Sequence, residues 1–213
     1  MRALVLGAAA GGGLPQWNCG CRNCKLARTG EIPAQTQSSI AVSCEGADWA
    51  VLNASPDIRY QLSANAQMWP VSLRGSPVKS VLLTNGDIDH IGGLLTLREK
   101  QPFTIFLTRA LDDILSDNPV FSALDAACVK RVVCELDEWR EILPDMRAKF
   151  FAVPGKIPLF METGSVETEM IGGQTVGVAV EANGARLLYV PGCSKMTAEI
   201  EAMSDGADAL FFD

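Results

Sequence analysis

Residues Val81 to Leu97 read VLLTNGDIDHIGGLLTL. The stretch opens as the apolar end of a run that begins at Val78 (VKSVLLT), the pattern of a buried strand. It then turns polar through Asn85, Gly86, Asp87 and Asp89, and IGGLLTLREK reads as a helix. A loop that leaves a core strand and enters a helix is where α/β proteins commonly build sites. His90 in that loop is the only histidine of the chain. Asp87 and Asp89 are two residues apart, so in extended backbone their carboxylates project the same way. Asp87, Asp89 and His90 are therefore a candidate metal-ligand set. Two carboxylates and one imidazole form a harder donor set than zinc enzymes favour, which tilts the choice toward iron(II) or manganese. The plainer alternative is a turn shaped by Asn85-Gly86, with Asp89 capping the helix and His90 solvated or hydrogen-bonded in the core.

The surrounding chain supplies strands on both sides of this loop. Met1–Gly7 (MRALVLG) reads as a strand, and Ser38–Cys44 and Trp49–Ser55 read as a hairpin. Ser55-Pro56-Asp57 starts a helix, with Ser55 as N-cap, Pro56 at the first position, and Ile58 and Leu62 on the buried face. Residues 103 to 107 and 149 to 153 are strand-like, and 108 to 147 are mostly helical in pattern. Val176–Ala182 and Arg186–Val190 form a hairpin about Asn183-Gly184. A short helix over Met196–Met203 leads to a last strand, Asp208–Asp213. Residues 14 to 37 look irregular. The expectation is one mixed α/β domain over residues 1 to 213, two packed sheets with a helix on each outer side. The sequence closes on ALFFD, an apolar strand with no polar tail, so the domain is expected to be C-terminally truncated.

Composition narrows the function classes. The chain has 213 residues, 48% hydrophobic and 20% charged, enough to bury a full core. A net charge of −7 argues against nucleic acid and anionic membrane surfaces, which attract basic patches. No apolar run approaches the ~20 residues a membrane-spanning helix needs. The seven cysteines are odd in number and three are crowded together, which fits a reducing compartment, the cytoplasm, rather than a disulfide framework. Cys19, Cys21 and Cys24 lie within six residues (CGCRNC) and can converge on one tetrahedral zinc ion of structural role. The fourth ligand is open among Cys44, Cys193 and a segment beyond Asp213. The alternative is three reduced thiols in a loop. GAAAGGG after the first strand is not a nucleotide fingerprint, because Pro15 and the cysteines follow where the helix should start. It reads as a tight turn near the rim of a site.

LGAAAGGGLPQWNCGCRNC, TQSSIAVS, NASPDI and DIDHIGGLLTLRE together resemble the pyrroloquinoline quinone biosynthesis protein B family of the metallo-β-lactamase superfamily, and the likeness runs the whole chain. The resemblance implies an αββα sandwich. The superfamily metal loop reads H-x-H-x-D-H; here Asn85 and Asp87 stand where the first two histidines would be, and Asp89 and His90 are kept. Tyr189 to Cys193 (YVPGC) likewise lacks the aspartate of the superfamily's Y-x-x-D. These departures disfavour the dinuclear zinc hydrolase chemistry of β-lactamases and phosphodiesterases. The resemblance implies a step in making pyrroloquinoline quinone: iron-dependent hydroxylation, with oxygen, of the tyrosine ring of a small molecule derived from a glutamate–tyrosine peptide. On this reading Asp89 and His90 are the catalytic metal ligands, joined by Asp87 and by Asp213, while Cys19, Cys21 and Cys24 hold structural zinc. Relatives complete the thiol cluster with a histidine near the C-terminus, which this sequence does not contain. Two other activities stay open: a carrier of the quinone product without turnover, and a zinc or manganese metallohydrolase. The expected partner is the small substrate, with no nucleic acid and no membrane; a homodimer is the one assembly kept open.

Overall fold

The period-two alternation of the apolar runs becomes two stacked β-sheets. The computed structural model describes residues 1–161 and 169–212. The first sheet has the order β1-β2-β3-β4-β5-β6, formed by Arg2–Gly7, Ser39–Ser43, Trp49–Leu52, Val78–Leu82, Phe103–Leu107 and Val129–Val133. Its first three strands are antiparallel and the rest run parallel to β3. The second sheet has the order β11-β10-β9-β8-β7, from Ala209–Phe212, Ala185–Val190, Val176–Ala182, Met146–Ala152 and Arg140–Leu143.

Alternation assigns each strand residue to a layer. Ile40, Val42, Ala50, Leu52, Leu82 and Phe106 face the second sheet and meet Met146, Phe150, Val178, Val180 and Leu187. Their neighbours Ala41, Val51, Val81, Leu83, Ile105 and Leu107 face outward and are covered by Ile58, Leu111, Ile114 and Leu115. Those covering residues come from α2 (Ile58–Ala64) and α4 (Arg109–Asp117). On the far side, Ile200 and Met203 of α5 (Ala198–Ser204) cover Phe151, Ala179, Leu188 and Val190. The order of layers is helix, sheet, sheet, helix, the αββα sandwich that the sequence led us to expect.

Four details differ from that reading. Residues 14 to 37 contain α1, Arg22–Thr29, which ends on Gly30 in the left-handed region (φ 79°). The helix expected from Ile91 onward is instead a single α turn, α3 (Ile88–Ile91), followed by a 3₁₀ turn over Gly92–Leu95. Residues 108 to 147 hold one α-helix, and then β6, β7 and the start of β8. Pro144-Asp145 makes the β7–β8 turn, with Asp145 at φ 60°. α2 is led by Asp57 rather than Ser55; the Ser55 hydroxyl donates to Gln61 Oε1 (3.2 Å), inside the fold. The Asn183-Gly184 hairpin stands as read, both residues at positive φ (53° and 75°), as a type I′ turn requires. Among the described residues no helix is long and apolar enough to cross a membrane.

Several chain ends meet at one end of the two sheets. The loops after β1, β3 and β4 emerge there, and so does the segment that leads into β2. Asn85 bridges to Thr175, just ahead of β9, and Val176 N–H donates to the Thr84 carbonyl (2.9 Å), which ties the two sheets together at this end. The α3 turn is fastened to the end of β3 by two backbone bonds: Ala54 N–H to the His90 carbonyl and Gly93 N–H to the Ala54 carbonyl, both 2.8 Å. This approach is possible only because residue 93 has no side chain. A Cβ there would lie 2.0 Å from the Ser55 carbonyl oxygen.

Gly93→Ala should therefore cost about 3 kcal/mol, the upper range for forcing atoms into a packed site. Gly184→Ala, whose Cβ would meet nothing within 4 Å but whose φ is positive, should cost about 1 kcal/mol. Urea unfolding of the two variants tests the ranking. Equal losses would show that the Gly93 contact relaxes cheaply.

Candidate functional site

The acidic loop is built as an Asx turn followed by one helical turn. Asn85 is buried, and its Oδ1 accepts the Asp87 N–H (3.0 Å). The Asp87 carbonyl then accepts the N–H groups of His90 (2.8 Å) and Ile91 (3.1 Å), which makes Asp87 the residue that starts α3. One residue into that turn, Asp89 and His90 come together: His90 Nε2 lies 3.6 Å from Asp89 Oδ2. The imidazole is buried and the carboxylate is about a quarter exposed (7% and 24%). Two ligands bound at about 2.1 Å on a tetrahedral ion lie roughly 3.4 Å apart, so this pair fits two adjacent positions of one metal.

Of the pair, Asp89 lines a hollow of about 270 Å³ together with Gly11, Gln37, Asp87, Ile88 and Phe160, and His90 is buried beside it. Asp87 shares its wall. Asp87, Asp89 and His90 do not, however, converge as a set of three ligand atoms in the manner of the cysteines described below. Asp213, the fourth expected ligand, lies outside the described residues. The glycine turn that the sequence placed near a site rim is in contact with the carboxylate: a Cβ on Gly11 would lie 3.0 Å from Asp89 Oδ2. A larger hollow of about 690 Å³ sits at the opposite end of the second sheet, between Trp139 and the Asn183-Gly184 turn. Its walls are charged pairs such as Arg147–Glu181, with no set of metal-binding side chains, and we give it no part in the chemistry.

Two polar residues near the site lie in the NASPDI and TQSSIAVS stretches, which mark the family without naming either as a site residue. Asn53, fully buried at φ 65°, ends β3 and exchanges hydrogen bonds with Thr84: its Oδ1 accepts the Thr84 N–H (2.9 Å) and its Nδ2 donates to Thr84 Oγ1 (2.8 Å). It also reaches Tyr189 Oη of the second sheet (3.3 Å). Gln37 touches the glycine turn. An isolated Asn after a strand, written NAS, hints at a left-handed position; nothing in the sequence flags Gln37.

The second cluster is the thiol group. Cys19, Cys21 and Cys24 place their sulfurs within 4.8 Å of one another, the one such group of three among the described residues. Thiolates on tetrahedral zinc stand roughly 3.8 Å apart, so the three fit one ion after slight closure. Cys21 precedes α1 and Cys24 lies in its first turn. The Arg28 guanidinium, one turn further on, donates to the carbonyls of Cys19 and Gln16 (both 2.6 Å) and so ties the loop to the helix. Cys44 and Cys193 are not part of the group: their thiols donate to the carbonyls of Pro144 (3.5 Å) and Lys195 (3.1 Å). The Cys24 backbone N–H, pointing at the Cys21 sulfur, and then the Cys19 and Cys24 side chains favour the Cys21 thiolate and lower its pKa from 9.0 to about 7.

Comparison with known proteins agrees with the fold. A family model described as the β-lactamase superfamily domain matches residues 48–213. The chain is 56% identical over 215 residues to the coenzyme PQQ synthesis protein B of Rhizobium meliloti (strain 1021), covering all of this chain and 71% of that protein. It is 52% identical to the protein of the same name from Methylorubrum populi, covering 72% of it. The 1.98 Å crystal structure of Zn(2+)-bound PqqB from Methylobacterium extorquens superposes with a TM-score of 0.97 at 51% identity, over all of this chain and 72% of that one. A diphosphatase of the PhnP family shares the fold alone (TM-score 0.69, 21% identity, 98% of this chain and 71% of that one).

The depressed Cys21 pKa predicts that, in metal-free protein, alkylation of Cys21 by iodoacetamide rises with a midpoint near pH 7, while that of Cys44, whose pKa burial raises, rises at a higher pH than an ordinary thiol. Mass spectrometry of labelled peptides reads both midpoints. Coincident midpoints would remove the hydrogen-bond argument for the loop.

Proposed function

We propose that this chain, which belongs to the coenzyme PQQ synthesis protein B family of the β-lactamase superfamily, takes part in making pyrroloquinoline quinone by hydroxylating a tyrosine ring. The substrate class is a small molecule derived from a glutamate–tyrosine peptide. Dioxygen is the oxidant: one oxygen atom enters the ring and the other leaves as water, with electrons from an added two-electron donor. The observation that carries this reading is the Asp89–His90 pair, whose carboxylate lines the 270 Å³ hollow while its imidazole is buried. Asp89 and His90 are the metal ligands of the proposal, with Asp87 and Asp213 as the further carboxylates. A bound iron(II) ion would supply the oxygen chemistry that amino-acid side chains lack.

The chain's own residues do the rest. Ile88 and Phe160 give the hollow an apolar wall suited to an aromatic ring, and the bare Gly11 leaves room beside the carboxylate. The His90 peptide is held by its bond to Ala54 and its imidazole is buried, so packing restricts the ring before any ligand arrives. Cys19, Cys21 and Cys24 would hold zinc away from the reaction, as a staple for the loop after β1. Asn85 and Asp87 in place of two histidines, and YVPGC without an aspartate, favour chemistry other than that of a dinuclear hydrolytic site.

Elemental analysis tests the assignment. The wild-type protein reconstituted with iron(II) and zinc should carry both metals. Asp89→Ala and His90→Ala should lose iron and keep zinc, and Cys24→Ser should lose zinc. Oxygen uptake with the tyrosine-derived substrate should fall by at least about 100-fold in Asp89→Ala and His90→Ala, the scale of losing a catalytic metal ligand. An unchanged metal profile in the two variants refutes the site. Tight binding of the quinone with no oxygen uptake would identify a carrier, and ester hydrolysis with zinc or manganese a hydrolase.

A further inference from the structure

The geometry points to Gln37 as the positioning residue of this pocket: it holds the glycine turn after β1 against the Asp89 carboxylate and so sets the direction in which that carboxylate faces the hollow. The inference rests on the proposed role of Asp89 as a ligand.

Gln37 leads into β2 and is gripped from three sides. Its backbone N–H donates to Asp57 Oδ2 (3.1 Å), and its carbonyl accepts from Gln61 Nε2 (2.8 Å). Its side-chain Nε2 donates to the Gly11 carbonyl (2.7 Å). Gln61 is itself fully buried on α2: its Nε2 also reaches Thr36 Oγ1 (3.0 Å), whose hydroxyl donates to the Leu6 carbonyl (2.9 Å), and its Oε1 accepts from Ser55 Oγ (3.2 Å). A run of hydrogen bonds thus leads from α2 through Gln37 to the peptide of Gly11, which packs on Asp89. Gly11 and Gln37 line the same hollow as Asp89.

Two features set this arrangement apart from ordinary loop anchoring. Backbone bonds anchor the turn on either side, at Ala9 and Leu14, and among the described residues the Nε2 bond is the one side-chain tie from the β2 lead to Gly11 between them, so removing that donor frees the tip of the turn over the carboxylate. The oxygen of the same amide, Gln37 Oε1, is buried and has no hydrogen-bond partner among the described residues. A buried unpaired acceptor is unfavourable, and such a group in a native fold calls for an explanation. A glutamine selected for stability alone would be expected to pair both ends of its amide.

Gln37→Met keeps the length of the side chain and removes the donor. Two readouts on the full chain, with zinc loaded at the cysteines, test the proposal. The first uses no second metal: hydrogen exchange in the peptide spanning residues 8–14 should speed up at least about 10-fold, while α2 and the thermal midpoint stay as in wild type. The second is cobalt(II) titration followed by its visible bands. Gln37→Met should weaken cobalt binding about 10-fold and shift the bands, the usual cost of losing a group that orients a ligand. Gly11→Ala, which sets a Cβ 3.0 Å from Asp89 Oδ2, should give the same band shift with the Gln37 amide intact. Unchanged exchange in the 8–14 peptide, or unchanged cobalt affinity and bands where Asp89→Ala abolishes binding, overturns the role of Gln37. If wild type and Asp89→Ala bind cobalt alike, the metal reading of Asp89 fails, and the exchange experiment still decides whether Gln37 holds the turn.

Discussion

Two backbone hydrogen bonds between the end of β3 and the α3 turn hold the site in place. Ala54 N–H reaches the His90 carbonyl and Gly93 N–H reaches the Ala54 carbonyl, both over 2.8 Å. They fix the peptide of the one histidine of the chain, whose imidazole is itself buried, as is Ile91 beside it. An imidazole on a free loop would lose rotational freedom on binding an ion, whereas this one has lost it on folding. The bonds also explain why the helix after the acidic loop is so short. The peptide of Gly93 is committed to Ala54, and the chain proceeds as a tighter 3₁₀ turn through Leu95.

The double-layer core was legible in the sequence because its strands alternate cleanly. Val81, Leu82 and Leu83 belong in turn to the outer, inner and outer layers, and Leu187 to Val190 repeat the pattern in the second sheet. The strands β6 and β7 were hidden by their surfaces. VKRVV and REIL carry arginine, lysine and glutamate on partly exposed positions, and between helix-like neighbours they read as amphipathic helix. Helix α1 was hidden by its chemistry: RNCKLART begins among cysteines and glycine, and only Cys24 and Ala27 of it are buried. For such a segment, hydrophobic periodicity carries little signal. The candidate ligands Asp87, Asp89 and His90 could be named because ligand residue types cluster in sequence. Gln37 could not, because its partners Asp57, Gln61 and Gly11 lie 20, 24 and 26 residues away and meet it only in the fold.

The thiol loop solves a separate problem. Residues 8 to 21 follow β1 across the same end of the sheets as the acidic loop, with Trp17 largely exposed and few apolar side chains buried. Such a segment cannot fix its path by hydrophobic burial. It is held instead by Arg28, which donates to two of its carbonyls, by strand-like bridges to Gln35 and Gln37, and by three sulfurs placed to share an ion. Because Gly11 sits between β1 and this cluster, the order of the cysteine loop and the placement of Asp89 are linked through a few residues of backbone.

Asn85 shows how the acidic loop is shaped from within. It stands where the superfamily loop begins with histidine, yet here its side chain is spent on the turn. Oδ1 accepts the Asp87 N–H, and a Cβ on Gly192 would lie 3.3 Å from its Nδ2. An amide can cap the Asp87 peptide in this way because Oδ1 reaches two residues on; an imidazole nitrogen at that position would need the same space to reach an ion. The Asn85 side chain therefore faces the backbone, while the Asp89 carboxylate, four residues on, faces the hollow with the buried His90 beside it. The amide that stands at the head of the loop is thus the group that stiffens it, and the start of the α3 turn at Asp87, hence the placement of Asp89, follows from one buried side chain.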